Sequence, residues 1–240
     1  MKIKFLGTSH GAPMPGRCCQ GILIETEKGA YIIDAGAPIM EKLIGYGFDI
    51  TMLKGVFITH PHIDHTVGLC HLLGLSTWWY KEKASFEVYF PNEKILKIFD
   101  GFNSGFFGET PDRLKLKTFA AGVVYNDGNL KVTAFENCHM KNTGEKSYGF
   151  MVDAEGKKVL ITGDMSKNFE HDDFPFEVLS AGVDLLISEC AHFPAEMLCE
   201  NISKVKASKV AVVHVHPESQ YEVLKTRDYI LPDDGDEIII

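Results

Sequence analysis

Thr59-His60-Pro61-His62-Ile63-Asp64-His65 places three imidazoles and a carboxylate within six consecutive positions. The residues before it, 55 to 59, read as a strand, so the quoted stretch is a strand end running into a loop. In an extended chain, side chains repeat every second residue, which puts His60 and His62 on one side. A helix is expected to start near Asp64 and to turn Asp64 and His65 toward a second position beside the first. Neutral imidazole and carboxylate are ligands that suit zinc and other borderline divalent ions. The stretch is therefore read as a metal site, because a solvated polar turn leaves the rigid His-Pro-His unexplained.

Composition sets the frame around that site. A chain of 240 residues, 45% of them hydrophobic, can bury the core of one α/β sandwich, and residues 1–240 are expected to form a single domain. Met1-Lys2-Ile3-Lys4-Phe5-Leu6-Gly7 reads as a strand, not as a signal peptide, since no long apolar run follows. No stretch approaches the roughly 18 apolar residues of a membrane span. The six cysteines (18, 19, 70, 138, 190 and 199) show no framework spacing and no C-x-x-C, so a cytoplasmic, thiol-reduced setting is expected. A net charge of −9 argues against a broad grip on nucleic acid, which draws on cationic side chains. Small anionic substrates remain compatible with it. Lys141 and Lys146 could act locally within a Debye length of about 8 to 10 Å, although a solvated loop accounts for them equally simply.

Strand-like runs alternate with short helices in two successive halves. The first half gives strands near 2–6, 20–26, 29–34, 55–59 and 86–90, an apolar helix after His65, and a helix opened by Pro91. The second gives strands near 113–119, 129–137, 147–153, 157–163, 183–189, 209–215 and 236–240. Asn126-Asp127-Gly128 and Ala154-Glu155-Gly156-Lys157 are turn signals between paired strands. The segment 101–108, Gly-Phe-Asn-Ser-Gly-Phe-Phe-Gly, reads as a glycine-flanked aromatic loop. With Trp78, Trp79 and Tyr80 it could stack a base, cap the core or form a dimer contact.

The H-x-H-x-D-H run formed by His60, His62, Asp64 and His65 resembles the signature of the metallo-β-lactamase superfamily, and that family's other motifs recur in order. Asp34 ends Tyr31-Ile32-Ile33-Asp34-Ala35-Gly36. His139 follows Phe135-Glu136-Asn137-Cys138, Asp164 closes Leu160-Ile161-Thr162-Gly163-Asp164, and His214 closes Val210-Ala211-Val212-Val213-His214. The resemblance implies an αββα sandwich with two mixed sheets. It implies two divalent ions, zinc with manganese or iron as alternatives: one held by His60, His62 and His139, the other by Asp64, His65 and His214, with Asp164 shared. It further implies a hydroxide between the ions as nucleophile, and for Asp34 a role in orienting the metal loop instead of ligation. Histidine at 62, where redox di-iron relatives usually carry glutamate, favours hydrolysis.

Leu6-Gly7-Thr8-Ser9-His10-Gly11, Pro15-Gly16-Arg17 and Ser147-Tyr148-Gly149-Phe150 resemble the ribonuclease Z and phosphodiesterase branch. That branch commonly carries a transfer-RNA-gripping arm between the positions of His139 and Asp164, and here only 24 residues lie between them. The expected activity is hydrolysis of nucleotide, cyclic phosphate or short RNA-like phosphodiesters, without stable transfer-RNA binding and without a membrane partner. A homodimer is an assembly open to it. Lactone or thioester hydrolysis is the alternative, followed by a non-catalytic metal-binding protein. A departing alkoxide needs a proton donor, and His192, oriented by Glu189 in Ser188-Glu189-Cys190-Ala191-His192, is the candidate acid. Asp64 is counted with them at the catalytic site. His10 and His216 are weaker candidates for lining it, while His71 and His171 look structural or exposed, and Cys138 and Cys190 look like inert thiols.

Overall fold

The computed structural model describes residues 1–167 and 173–240. His171 lies outside the described residues. Among the described residues, thirteen strands and seven α-helices follow in order: β1 (Lys2–Gly7), β2 (Gly21–Glu25), β3 (Ala30–Ile33), α1 (Ile39–Gly45), β4 (Leu53–Phe57), α2 (Ile63–Thr66), α3 (Gly68–Trp78), β5 (Phe86–Phe90), α4 (Glu93–Phe107), β6 (Leu114–Thr118), β7 (Gly122–Asn126), β8 (Leu130–Asn137), β9 (Ser147–Ala154), β10 (Lys157–Ile161), α5 (Phe176–Ser180), β11 (Val183–Cys190), α6 (Ala195–Ile202), β12 (Ala207–Val215), α7 (Gln220–Leu224) and β13 (Glu237–Ile239).

The strands form two mixed sheets, ordered β13-β1-β2-β3-β4-β5-β6 and β12-β11-β10-β9-β8-β7. In each, an antiparallel set passes into a parallel one, at β3/β4 in the first and β10/β11 in the second. Alternation along the strands explains the layering. Ile22 and Ile24 of β2 and Ile33 of β3 face Val132, Phe150, Val159, Ile187 and Val213 of the other sheet. Their neighbours Leu23 and Ile32 point outward and pack with Leu43, Leu69, Leu72 and Leu96 of α1, α3 and α4. Leu160 and Leu186 likewise meet Leu179, Leu198 and Leu224 of α5, α6 and α7. This is the αββα sandwich expected from the sequence.

Several expectations are corrected. β6 and β13, placed by sequence order in the second half, both belong to the first sheet; β13 pairs antiparallel with β1 and carries the C-terminal end back to the N-terminal strand. The edge strand β7 was not expected, and the Asn126-Asp127-Gly128 turn joins it to β8 instead of joining β6 to β8. Its signal is weak because Gly122-Val123-Val124-Tyr125-Asn126 lies at a sheet edge with no buried residue to impose alternation. Pro91 does not open α4; Asn92 caps it, its side chain accepting from the Ile95 N–H at 2.8 Å. Of the aromatic segment 101–108, residues 101–107 form the C-terminal half of α4 and Gly108 caps it, so the segment is not a loop. Its two internal glycines weaken the helical signal, yet Leu96 and Asn103 anchor the buried face.

Candidate metal centre

The site lies where the strands end. The Thr59–His65 stretch follows β4, Asp34 follows β3, His139 follows β8, Asp164 follows β10, and Glu189 and His214 lie near the ends of β11 and β12. Two residues hold backbone shapes that non-glycine residues seldom adopt: Asp34 at φ 61° and His214 at φ 53°. Beside Asp164, Gly163 has φ 62°, and a Cβ there would come within 2.6 Å of the Tyr148 carbonyl, so only glycine fits. These turns aim side chains from four segments into one volume.

Two groups of four result, His60, His62, His139 and Asp164, and Asp64, His65, Asp164 and His214, and Asp164 belongs to both. His60 Nε2 and His139 Nε2 lie 3.0 and 3.1 Å from His62 Nδ1. Three imidazole nitrogens this close, with few protons to share among them, present lone pairs to a common point. In the second group His65 Nε2 lies 3.2 Å from Asp64 Oδ2 and 3.4 Å from Asp164 Oδ1, and His214 Nε2 lies 3.2 Å from Asp64 Oδ2. Buried His65 Nε2 has no hydrogen-bond partner of its own. An orphaned imidazole nitrogen facing two carboxylates fits a divalent cation.

Electrostatics points the same way. Burial holds the His60 pKa well below its ordinary value, keeping the ring neutral as ligation requires. Burial would lower that of His65 too, but Asp164 and Asp34 outweigh it and raise it well above normal. The carboxylates thus draw positive charge to this point. Burial alone would raise the Asp64 and Asp164 pKa values, yet the hydrogen bond from His214 and the nearby His65 lower the first, and the surrounding imidazoles, chiefly His214 and His65, lower the second well below the usual range.

Asp34 stands behind the site. Its Oδ1 accepts from the Thr59 N–H at 2.8 Å, both oxygens contact Thr59 Oγ1 at 3.0 and 2.9 Å, and Oδ2 accepts from His65 Nδ1 at 2.8 Å. Thr59 Oγ1 also lies 3.0 Å from His60 Nδ1. Since a carboxylate only accepts, the hydroxyl proton goes to Asp34 and the Thr59 oxygen accepts from His60 Nδ1–H. One carboxylate therefore sets the tautomer of two histidines and leaves each Nε2 lone pair facing the site. Thr59 was overlooked in the sequence, although it is adjacent to the motif.

His192 sits beside both groups. Its ring is 4.6 Å from that of His139 and 5.8 Å from that of His214, its Nε2 is 3.9 Å from Asp164 Oδ2, and its Nδ1 is 2.9 Å from Glu189 Oε1. Burial would lower its pKa, but the Glu189 hydrogen bond and charge outweigh this and raise it to about 9. Glu189 also accepts from the Met165, Ala191 and His192 backbone N–H groups, at 2.9, 2.6 and 3.3 Å. The His10 and His216 rings lie 4.3 Å apart, tilted by 43°, and Asp64 and His214 act electrostatically on His10, so the pair borders the site. His71 is exposed beside Glu41. Lys146 pairs with Glu136, and Trp78 and Trp79 are surface residues, Trp78 stacking on Phe107. Cys190 is fully buried, whereas Cys138 is partly exposed.

A second unforeseen group fixes the first loop. Asp234 accepts from Thr8 N and Oγ1 at 3.0 and 2.9 Å, from Cys18 N at 2.7 Å and from Lys42 Nζ at 2.9 Å. The Thr8 carbonyl in turn accepts from His214 N at 3.0 Å. Its partners are more than 190 positions away in sequence, which leaves no local signal to read.

Solved structures share this architecture. Human tRNase Z, short form, superposes with a TM-score of 0.75 at 20% identity, covering 100% of this chain and 99% of that one. A diphosphatase from the PhnP family gives 0.76 at 16% identity, covering 100% and 97%. Among curated proteins, ribonuclease Z of Pyrococcus abyssi is 25% identical over 297 residues, covering 100% of this chain and 96% of its own. Ribonuclease BN of Escherichia coli is 28% identical over 200 residues, covering 79% of this chain, which spans 62% of that relative's length. Fold, ligand geometry and relatives together define a metal-dependent hydrolase of the metallo-β-lactamase superfamily, of the ribonuclease Z-like kind. Within that class, the chain belongs to the family described as anti-Pycsar protein Apyc1, which matches residues 1–224.

Proposed function

We propose that this protein is a binuclear metal phosphodiesterase acting on nucleotide, cyclic phosphate or short RNA-like diesters. His60, His62 and His139 would hold one ion and Asp64, His65 and His214 the other, with Asp164 common to both groups. The observation that carries the reading is Asp164 itself, fully buried and common to two otherwise separate ligand groups. Zinc suits this imidazole-rich set, with manganese or iron as alternatives. Divalent ions bound there supply Lewis acidity, making a water acidic enough to attack and neutralising charge that builds on phosphoryl oxygens.

The chain's own residues do the rest. His60 stays neutral by burial, and Asp34 fixes His65 directly and His60 through Thr59. His192, its Nδ1 committed to Glu189, keeps a proton on Nε2 at neutral pH and can deliver it to the departing oxygen. Relatives named for ribonucleases Z and BN support phosphodiester chemistry. The alignment with the Pyrococcus abyssi enzyme extends over 297 residues against the 240 of this chain, so about 57 positions of that enzyme find no counterpart. With a net charge of −9, this supports small diesters over full-length transfer RNA. No helix among the described residues is long and apolar enough to cross a membrane; a cytoplasmic setting and a homodimer are further parts of the reading.

The test is a panel of substrates offered to protein loaded with zinc or manganese. A bis-aryl phosphate or thymidine aryl phosphate should be hydrolysed faster than lactones, thioesters or phosphomonoesters. Preference for a lactone or thioester would overturn the phosphodiesterase reading. Submicromolar binding of precursor transfer RNA at physiological salt, with accurate 3′ cleavage, would overturn the restriction to small diesters.

A further inference from the structure

The turn that carries His192 is held at both ends by different side chains. Glu189 holds the front, through the Ala191 and His192 N–H groups and the ring. The back is held by Gln220, the first residue of α7, which lies 25 to 30 positions away in sequence from most of the atoms it holds. Its Nε2 lies 2.9 Å from the Cys190 carbonyl, 3.2 Å from that of Phe193 and 2.5 Å from that of His216, two N–H bonds shared over three acceptors. Its Oε1 accepts from the Ala195 N–H, at the first residue of α6, at 2.5 Å. The Cys190 carbonyl also accepts from His216 N at 3.1 Å.

Cys190 and Phe193 bracket Ala191-His192. A donor bridging their two carbonyls is a chord across the turn whose apex bears the histidine. The same nitrogen reaches His216, whose ring packs at a tilt against that of His10, so one amide joins the loop after β11 to the loop after β12. Between the two loops lies a cleft of about 450 Å³ lined by His192, Phe193, His216 and Gln220 among others. His192, one of the residues lining this cleft, has its Nε2 3.9 Å from Asp164 Oδ2.

We infer that Gln220 is a positioning residue for His192 in proton delivery to the leaving group. The inference rests on the reading of His192 as general acid. In that step water oxygen bonds to phosphorus, the ester P–O bond breaks, and the His192 Nε2 proton goes to the departing oxygen. Water's released proton leaves through solvent, giving a monoester and an alcohol. Glu189 accepts from Nδ1–H, so the proton to be delivered is the one on Nε2; Gln220 fixes where the turn holds that nitrogen. A misplacement of about 1 Å can cost on the order of 10²-fold in rate. The cost falls on substrates that need the proton: an alkoxide requires it as the bond breaks, a nitrophenolate does not.

The test compares Gln220→Met, which keeps the length and removes every hydrogen bond, with His192→Ala and the double variant, on an alkyl and a nitrophenyl phosphodiester. Gln220→Glu, which keeps an acceptor for the Ala195 N–H but loses the donors, serves if the methionine variant fails to fold. Expected is a loss of at least about 10-fold more on the alkyl than on the nitrophenyl ester for Gln220→Met, with the double variant no slower on the alkyl ester than His192→Ala alone. Hydrogen exchange of metal-free protein should show faster exchange at His216 and across 190–195, with the rest of the fold unchanged. Equal losses on both esters, additive losses in the double variant, or unchanged exchange would overturn the inference. Selective loss in His192→Ala without it in the Gln220 variants would sink this inference alone, whereas its absence in His192→Ala would remove the acid reading and this inference with it.

Discussion

Replacing Asp34 by asparagine should weaken one metal position more than the other. Asparagine tolerates the φ of 61° held by Asp34, so the backbone is not the variable. The Thr59 N–H needs an acceptor, so the amide oxygen takes the place of Oδ1, 2.8 Å from that nitrogen and 3.0 Å from Thr59 Oγ1. The amide nitrogen then occupies the Oδ2 position, 2.8 Å from His65 Nδ1. Two donors cannot share that contact, so His65 moves its proton to Nε2, the atom that faces Asp64 and Asp164. Its lone pair is lost to the site. The path through Thr59 to His60 survives, because the amide oxygen still accepts from the hydroxyl. Loss of a supporting partner of this kind typically costs 10- to 100-fold in metal affinity, about 1.4 to 2.7 kcal/mol. That loss should appear at the Asp64–His65–His214 position, with a change below about threefold at the His60–His62–His139 position. Competition titration against a chromophoric chelator, resolving two binding steps, measures both. Equal loss at both positions, or no loss at either, would refute the account of how Asp34 sets the tautomers.

Asp164→Ala should empty both positions, whereas His139→Ala should mainly empty the one it shares with His60 and His62; metal analysis showing one ion in fully loaded wild type, or equal loss of both in the His139 variant, would contradict the ligand division. Gly36→Ala should destabilise by at least about 2 to 3 kcal/mol, the upper range for overpacking, since its Cβ would run into the Asp64 carbonyl and lie 2.7 Å from both Cys19 Cβ and the Gln20 carbonyl; a melting temperature within a degree of wild type would show that this loop yields. Burial opposes ionisation of Asp234, but Lys42 and the Cys18 and Thr8 donors outweigh it and hold its pKa below the ordinary carboxylate value. Its contribution is therefore present above the unfolded pKa of about 3.9 and is lost as pH falls through the folded value. Asp234→Asn should lower stability at pH 7 by a margin that shrinks below pH 4, and chemical unfolding showing a pH-independent difference would refute it.

Through the resemblance, the sequence pointed to the layers of the sandwich and to the candidate ligand residues. Strand alternation depends only on neighbours in the chain, and Ile22, Ile24 and Ile33 against Leu23 and Ile32 show both faces of a sheet buried. The candidate ligands sit at strand ends, in motifs of a few residues, so His60, His62, Asp64 and His65 could be read from their spacing and His139, Asp164 and His214 from the resemblance. Tertiary structure decided what spacing cannot carry. The edge strand β7 buries nothing that would fix its period, and α4 contains glycines that local propensity counts against a helix that Leu96 and Asn103 anchor. The assignment of β6 and β13 to the first sheet is a matter of which edge remained open to pair. Supporting contacts were equally hidden: Asp234 holding Thr8 and Gln220 holding Cys190, Phe193 and His216 join segments far apart in sequence. A single hydrogen bond between distant segments leaves no periodic trace, because it is selected by the closed fold and not by either strand or helix that provides it.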